Sequence, residues 1–130
     1  MANTIILSNA FSLNMIPEGS PEEMWFKPVS SDEARDIVSK ADEVISIVGH
    51  ADTARVFGKE LDIEITPNRV TWQFDLSKHP FAGGDGSQDR ERLLVGQYTG
   101  PRLPEGATTL PEGANIRWFL IDFFKEWMPM

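Results

Sequence analysis

Ile45-Ser46-Ile47-Val48-Gly49-His50-Ala51-Asp52-Thr53 is the stretch on which the reading of the fold turns. An apolar run rich in β-branched residues stops at Gly49. His50 follows at once, and Ala51, Ala54, Val56, Phe57 and Leu61 then read as a helix. A strand therefore hands over to a helix N-terminus at Gly49-His50. Backbone N–H groups there lack intrahelical partners, and the helix dipole favours an anion. Gly49 lets backbone come close to a ligand, and His50 can give or take a proton near neutral pH. Together they suit a phosphate whose chemistry needs a proton moved. The structural alternative is a histidine that only caps the helix or sits as a partly buried polar residue. The one other histidine, His79, lies in a Pro/Gly loop.

Toward the N-terminus, Ser31-Asp32-Glu33-Ala34 opens a second helix. Ser30 or Ser31 can cap it, Asp32 and Glu33 suit its dipole, and Ala34, Ile37, Val38 and Ala41 form its apolar face. Before it, Met24 to Val29 reads as a short strand kept near a sheet edge by Pro28. Thr4-Ile5-Ile6-Leu7 reads as a buried strand, followed by Asn9, Ser12 and Asn14 alternating with Phe11, Leu13 and Met15. Polar groups just past a strand end are where an open α/β sheet places its ligand. Equally, such side chains can hydrogen-bond their own backbone in a loop.

Toward the C-terminus, Val70, Trp72, Phe74 and Leu76 alternate with polar residues, which predicts a half-buried strand with Arg69 at its start. Ser77 to Arg90 reads as a long hairpin connection. Leu93 to Thr99 reads as a strand antiparallel to the one before it. In Pro101-Arg102-Leu103-Pro104-Glu105-Gly106 two prolines stiffen the chain around Arg102. Thr108 to Ala114 is turn-rich, Arg117 to Phe124 is a last strong strand, and Lys125 to Met130 is an apolar tail. The pattern predicts a single α/β domain, α+β in character, with a mixed β-sheet of about five strands flanked by a few helices.

Composition narrows the function classes. The chain has 130 residues and 41% hydrophobic content, with eight Phe and four Trp, enough for a real core. It has no Cys, so neither disulfides nor a thiolate zinc site. Met1 to Ser8 is too short and uncharged for a signal peptide, and no apolar run approaches the ~20 residues of a membrane span. A cytoplasmic, non-membrane protein is the expectation. The net charge of −8 argues against binding long nucleic acid, yet leaves room for a small anion held by a few Arg side chains. Walker A, GxGxxG, HExxH and GxSxG patterns are all absent.

Five segments, taken together, resemble one known family. They are Leu7 to Met15, Ile47-Val48-Gly49-His50 with Thr53, Asn68-Arg69-Val70, Gln97, and Arg102-Leu103-Pro104-Glu105-Gly106. In that order and spacing the chain resembles the viral ring nucleases, small type III anti-CRISPR proteins of archaeal viruses and phages. The resemblance implies a homodimer with its site at the subunit interface, binding cyclic tetra-adenylate. It implies cleavage to linear di-adenylate with 2′,3′-cyclic phosphate ends, with no metal or other cofactor, in the host cell cytoplasm. It places His50 and Glu105 in the catalytic machinery, and Asn9, Ser12, Asn14, Arg69, Gln97 and Arg102 around the ligand, beside the Gly49 that the junction itself marks for close approach. The chain departs from the family in its longer 77–90 insertion and its short Pro/Gly-rich 108–114 segment. Its Gln97-to-Arg102 spacing is also longer by one residue than the family's.

Two other readings compete. One is a protein of this fold that sequesters a cyclic oligoadenylate without cutting it. The other is a structural viral interaction protein that docks through Trp127-Met128-Pro129-Met130.

Overall fold

The computed structural model describes residues 3–17, 23–74 and 90–124. Five strands and two helices follow one another as β1 (Asn3–Ser8), β2 (Glu23–Val29), α1 (Ser31–Lys40), β3 (Glu43–Ser46), α2 (Ala51–Leu61), β4 (Arg90–Thr99) and β5 (Asn115–Phe124). The sheet order is β2-β5-β4-β1-β3. β1 lies between β3 and β4 and is parallel to both. β5 is antiparallel to β4 and β2, so the other four strands all run the same way. The mixed α+β sheet of five strands is the one expected, and β2 with its Pro28 is indeed an edge strand.

The sequence explains the helices closely. Ser30 Oγ accepts the Glu33 N–H at 3.0 Å, and Glu33 Oε1 accepts the Ser30 N–H at 3.3 Å. This reciprocal box satisfies two donors that the first turn of α1 cannot pair internally. Ala34 and Val38, one turn apart, are its buried residues. α2 ends at Asp62, which adopts a left-handed conformation with φ of 58°, and the Ile63 N–H returns to the Gly58 carbonyl at 3.0 Å. Gly58 is required there, because a Cβ would stand 2.6 Å from the Ile63 carbonyl oxygen.

Strand alternation divides the core in two. On one face Ile5, Leu7, Leu94 and Trp118 pack against α1 and α2, chiefly through Val38, Ala54 and Phe57. On the other face Ile6, Leu93, Val95 and Ile121 meet Phe11, Met15, Trp72 and Phe74. Both helices cover one face, and irregular chain lies over the other.

One expected strand does not form over its described residues. Residues 70–74 have no regular structure, and 75–89 fall outside the described residues together with the tail 125–130. Phe74 is buried and Trp72 half-buried, with rings 4.7 Å apart, whereas Val70 is exposed. The segment lies over the second core instead of joining the sheet: the Phe74 N–H donates to the Met15 carbonyl at 2.9 Å. Period-two burial is therefore present over 72–74 without a ladder. Consequently β4 is not antiparallel to that segment. It pairs with β1 and β5.

Candidate functional site

The parallel strands β1, β3 and β4 end on one side of the sheet. Leu7 is level with Ser46, and Ser8 with Val95. The Ile47 N–H still donates to the Leu7 carbonyl at 2.8 Å, so β1 and the chain after β3 run on together before they part. Asn9 and the Gly49-His50 junction follow the ends of β1 and β3, and Gln97 lies in β4 two residues past the level of Ser8, at the end of the sheet where open sheets leave room for a ligand.

His50 is the N-cap of α2, with extended φ and ψ of −118° and 133°. Its carbonyl accepts the Ala54 N–H at 2.9 Å. Its imidazole makes no capping hydrogen bond and is exposed, so the first-turn N–H groups are left without it. The merely structural role for this side chain, a cap, is not the one it takes.

Arg69 is brought to the same place by Asn68. The Asn68 side-chain amide donates to the Ser46 carbonyl at 3.0 Å, and its backbone N–H to the Val48 carbonyl at 2.7 Å. These bonds dock the 66–70 chain beside the carbonyls at the end of β3. Arg69 then lies across Gly49, where a Cβ would meet its Nε at 3.4 Å and its Cβ at 3.6 Å. Among the described residues the Arg69 guanidinium has no carboxylate partner, in contrast to Arg35 and Arg55, which pair with Asp32 and Asp52.

The Arg102–Gly106 loop is tied to the start of α2. Asp52 Oδ1 accepts the Gly106 N–H at 3.1 Å and also binds Arg55, whose Nε donates to the Ala107 carbonyl at 3.3 Å. The Tyr98 hydroxyl donates to the Pro101 carbonyl, fixing the loop where it leaves β4. Arg102 and Glu105 are exposed on this loop and unpaired among the described residues. Asp52, Arg55 and Tyr98 were not singled out from the sequence. Asp52 to Arg55 reads there as an ordinary helix-surface pair, and its reach to Gly106 spans fifty-four residues.

Asn9 and Gln97 come together on the sheet face opposite the helices. With Phe11, Phe26, Val95 and Phe119 they line a cleft of about 430 Å³. Neither amide has a hydrogen-bond partner among the described residues. Arg117 is level with Gln97 across the β4–β5 ladder, and its guanidinium lies 5.1 Å from the centre of the Phe119 ring. This arginine was also missed. The signal was present, since Arg117, Phe119 and Ile121 share one strand face, but its neighbour is set by a register the sequence does not display.

Ser12 and Asn14 fall differently. Ser12 caps a short 3₁₀ turn, Leu13–Met15, by accepting the Asn14 N–H at 3.3 Å. The Asn14 carbonyl accepts the Gln73 amide at 3.0 Å. Ser12 thus takes the local backbone role that was open to it, and neither residue lines the cleft.

The structure therefore forms two neighbouring groups. One is Gly49, His50 and Arg69, with the Arg102–Glu105 loop held to the same helix. The other is the Asn9–Gln97 cleft. A second concavity, of about 530 Å³, lies behind α2 between Gly58, Asp62 and Thr108 and includes none of the sequence-selected residues.

This sheet, with polar groups gathered toward one end of its strands, defines a small α+β protein. A family model described as STIV B116-like matches residues 5–80, and the chain belongs to that family. Among solved structures it is similar to B116 of Sulfolobus turreted icosahedral virus. The TM-score is 0.65 with 18% sequence identity, over 91% of this chain and 97% of that one. At such identity the likeness is one of fold. No curated protein matches the chain in sequence. Among the described residues no helix is long and apolar enough to cross a membrane.

Proposed function

We propose that this protein is a metal-independent ring nuclease that cleaves cyclic tetra-adenylate to linear di-adenylate, acting as a homodimer against type III CRISPR signalling. The observation that carries the reading is the junction itself. An exposed imidazole that makes no capping hydrogen bond stands at a helix N-terminus, with a guanidinium that has no carboxylate partner among the described residues across the adjoining glycine.

The chemistry asks little more. The ribose 2′-oxygen attacks its own phosphorus, a P–O2′ bond forms and the P–O5′ bond breaks. His50 as general acid protonates the departing O5′, a role worth roughly 10²–10⁴-fold. The Glu105 carboxylate is the candidate acceptor for the 2′-hydroxyl proton. Arg69 and Arg102 offer the phosphate charge-assisted hydrogen bonds in the fork geometry that suits it, and the free N–H groups of α2 add to the same field. Asn9 and Gln97 meet base or ribose edges. A ring with two-fold symmetry fits a site built around a dimer axis, one His50 from each subunit.

The test is a multiple-turnover assay on labelled cyclic tetra-adenylate in EDTA, with the parent and His50→Ala in parallel. Di-adenylate from the parent, a loss of about 10²–10⁴-fold in the variant and retained binding are expected. Tight binding without product from either protein would make this a sequestering protein. Neither binding nor cleavage would leave an interaction protein.

A further inference from the structure

Glu105 is carried by a turn that two side chains of α2 hold in place. The Ala107 N–H donates to the Pro104 carbonyl at 3.1 Å, and Gly106 takes the φ of 80° that a type II turn asks of its third residue. Glu105 stands at the exposed corner of this turn. A Cβ on Gly106 would meet nothing within 4 Å, so packing does not seat the tip. Hydrogen bonds from α2 do. Asp52 Oδ1 accepts the Gly106 N–H at 3.1 Å, Arg55 Nε donates to the Ala107 carbonyl at 3.3 Å, and Arg55 Nη2 closes the ring on the same Asp52 oxygen.

The Gly106 N–H belongs to the rigid peptide plane that joins it to Glu105, so Asp52 fixes the unit next to the Glu105 Cα. Asp52 also lies two residues after His50, in the first turn of the helix that His50 opens. A single hydrogen bond therefore ties the backbone of the proposed proton acceptor to the helix of the proposed proton donor. Arg102 is held separately, at the other end of the loop, where the Tyr98 hydroxyl donates to the Pro101 carbonyl.

We infer that Asp52 and Arg55 are positioning residues for cleavage, which hold the Glu105 turn to α2 so that Glu105 and His50 meet the same phosphodiester; the role rests on the function proposed above. Neither residue acts on the reacting atoms, and both work through Glu105. The side chains of Asp52 and Arg55 are 30% and 45% exposed, so their pairing adds little to stability. What it supplies is alignment.

The experiment is the multiple-turnover assay on cyclic tetra-adenylate with the parent, Asp52→Ala and Asp52→Asn, and urea unfolding of each alongside. Asp52→Ala should lower kcat about 10–10²-fold, the scale of a group misplaced by about 1 Å. KM should stay within about twofold of the parent, because Arg102 keeps its own anchor. Asp52→Asn retains an oxygen for the Gly106 N–H and should recover most of the rate. In a Glu105→Ala background, Asp52→Ala should change kcat by less than about twofold, since groups that act as a unit are not additive. Asp32→Ala is the control. It breaks an Asp–Arg pair of the same i,i+3 spacing in the first turn of α1, and should leave kcat unchanged.

An Asp52→Ala kcat within about twofold of the parent, a loss that persists in full without Glu105, an equal loss in Asp32→Ala, or a loss of rate matched by a loss of folded protein would each overturn the role. The two readings fail separately. A parent that cleaves beside an equally fast Asp52→Ala keeps the nuclease and loses the clamp. A parent that does not cleave overturns the nuclease, and the positioning role with it.

Discussion

Gly96 gives the sharpest quantitative test of the fold around the site. It lies in β4, next to Gln97, with its missing side chain on the helix-covered face. A Cβ there would stand 2.6 Å from Trp118 Cζ3, and 2.7 and 2.8 Å from Phe57 Cζ and Cε2. Ordinary contact begins near 3.4 Å, so Gly96→Ala must push both rings back by about 0.6–0.8 Å (3.4 less 2.8, and 3.4 less 2.6). Neither ring has room to retreat: Phe57 and Trp118 are buried and pack edge-to-face at 5.0 Å. Overpacking of this kind costs about 1–3 kcal/mol, and with two rings displaced the expectation is the upper half, about 2–3 kcal/mol. Urea unfolding of parent and variant, with the midpoint moved and the slope unchanged, measures it. Phe57→Leu in the Gly96→Ala background should recover part of the loss, giving a coupling of about 0.5–3 kcal/mol in a double-mutant cycle. A Gly96→Ala protein within about 0.5 kcal/mol of the parent would refute the close approach of β4 to α2 described above.

Other perturbations follow from single contacts. Ser30→Ala breaks the capping box of α1 and should cost about 1 kcal/mol in urea unfolding while cleavage of cyclic tetra-adenylate is retained. Asp52→Ala frees the Gly106 N–H and unpairs a partly exposed Arg55; the ion pair itself contributes no more than about 1 kcal/mol. The sensitive readout is hydrogen exchange, faster at the Gly106 amide with α2 unchanged. Asn68→Ala removes the amide bond to Ser46 and should cost about 1 kcal/mol by denaturation. It should also weaken ligand binding by loosening Arg69, an effect measured in a His50→Ala background so that substrate is not consumed.

Much of this architecture was readable from residue order, for local reasons. Ser30 with Glu33 announces the start of α1, Pro28 confines β2 to an edge, and Gly49-His50 marks the entry to α2, because caps and breakers act within a few residues. The reading of 70–76 as a strand failed because alternation reports which side chains are buried, not what the backbone pairs with. Trp72 and Phe74 do face the second core, yet β4, the expected partner, already has β1 on one side and β5 on the other. At the candidate site, the sequence singles out His50 and Arg69, and Asn68 brings Arg69 beside Gly49 through the carbonyls of Ser46 and Val48, at and just past the end of β3. Arg117 beside Gln97 was not, since twenty residues separate them and the β4–β5 register makes them neighbours. The tie of Asp52 to Gly106 escaped for the same reason.

The sheet divides labour between its two faces. Phe57, Trp118 and Leu94 hold the helices on one side, while Asn9, Gln97 and Phe119 border open space on the other. Because neighbouring residues along a strand point to opposite faces, the two duties are interleaved in the chain but separate in space. Cohesion and recognition can therefore drift at different rates: the helix side answers to volume, the cleft side to chemistry. A chain built this way can exchange one ligand for another by altering alternate positions of β4 and β5, with its interior left as it was.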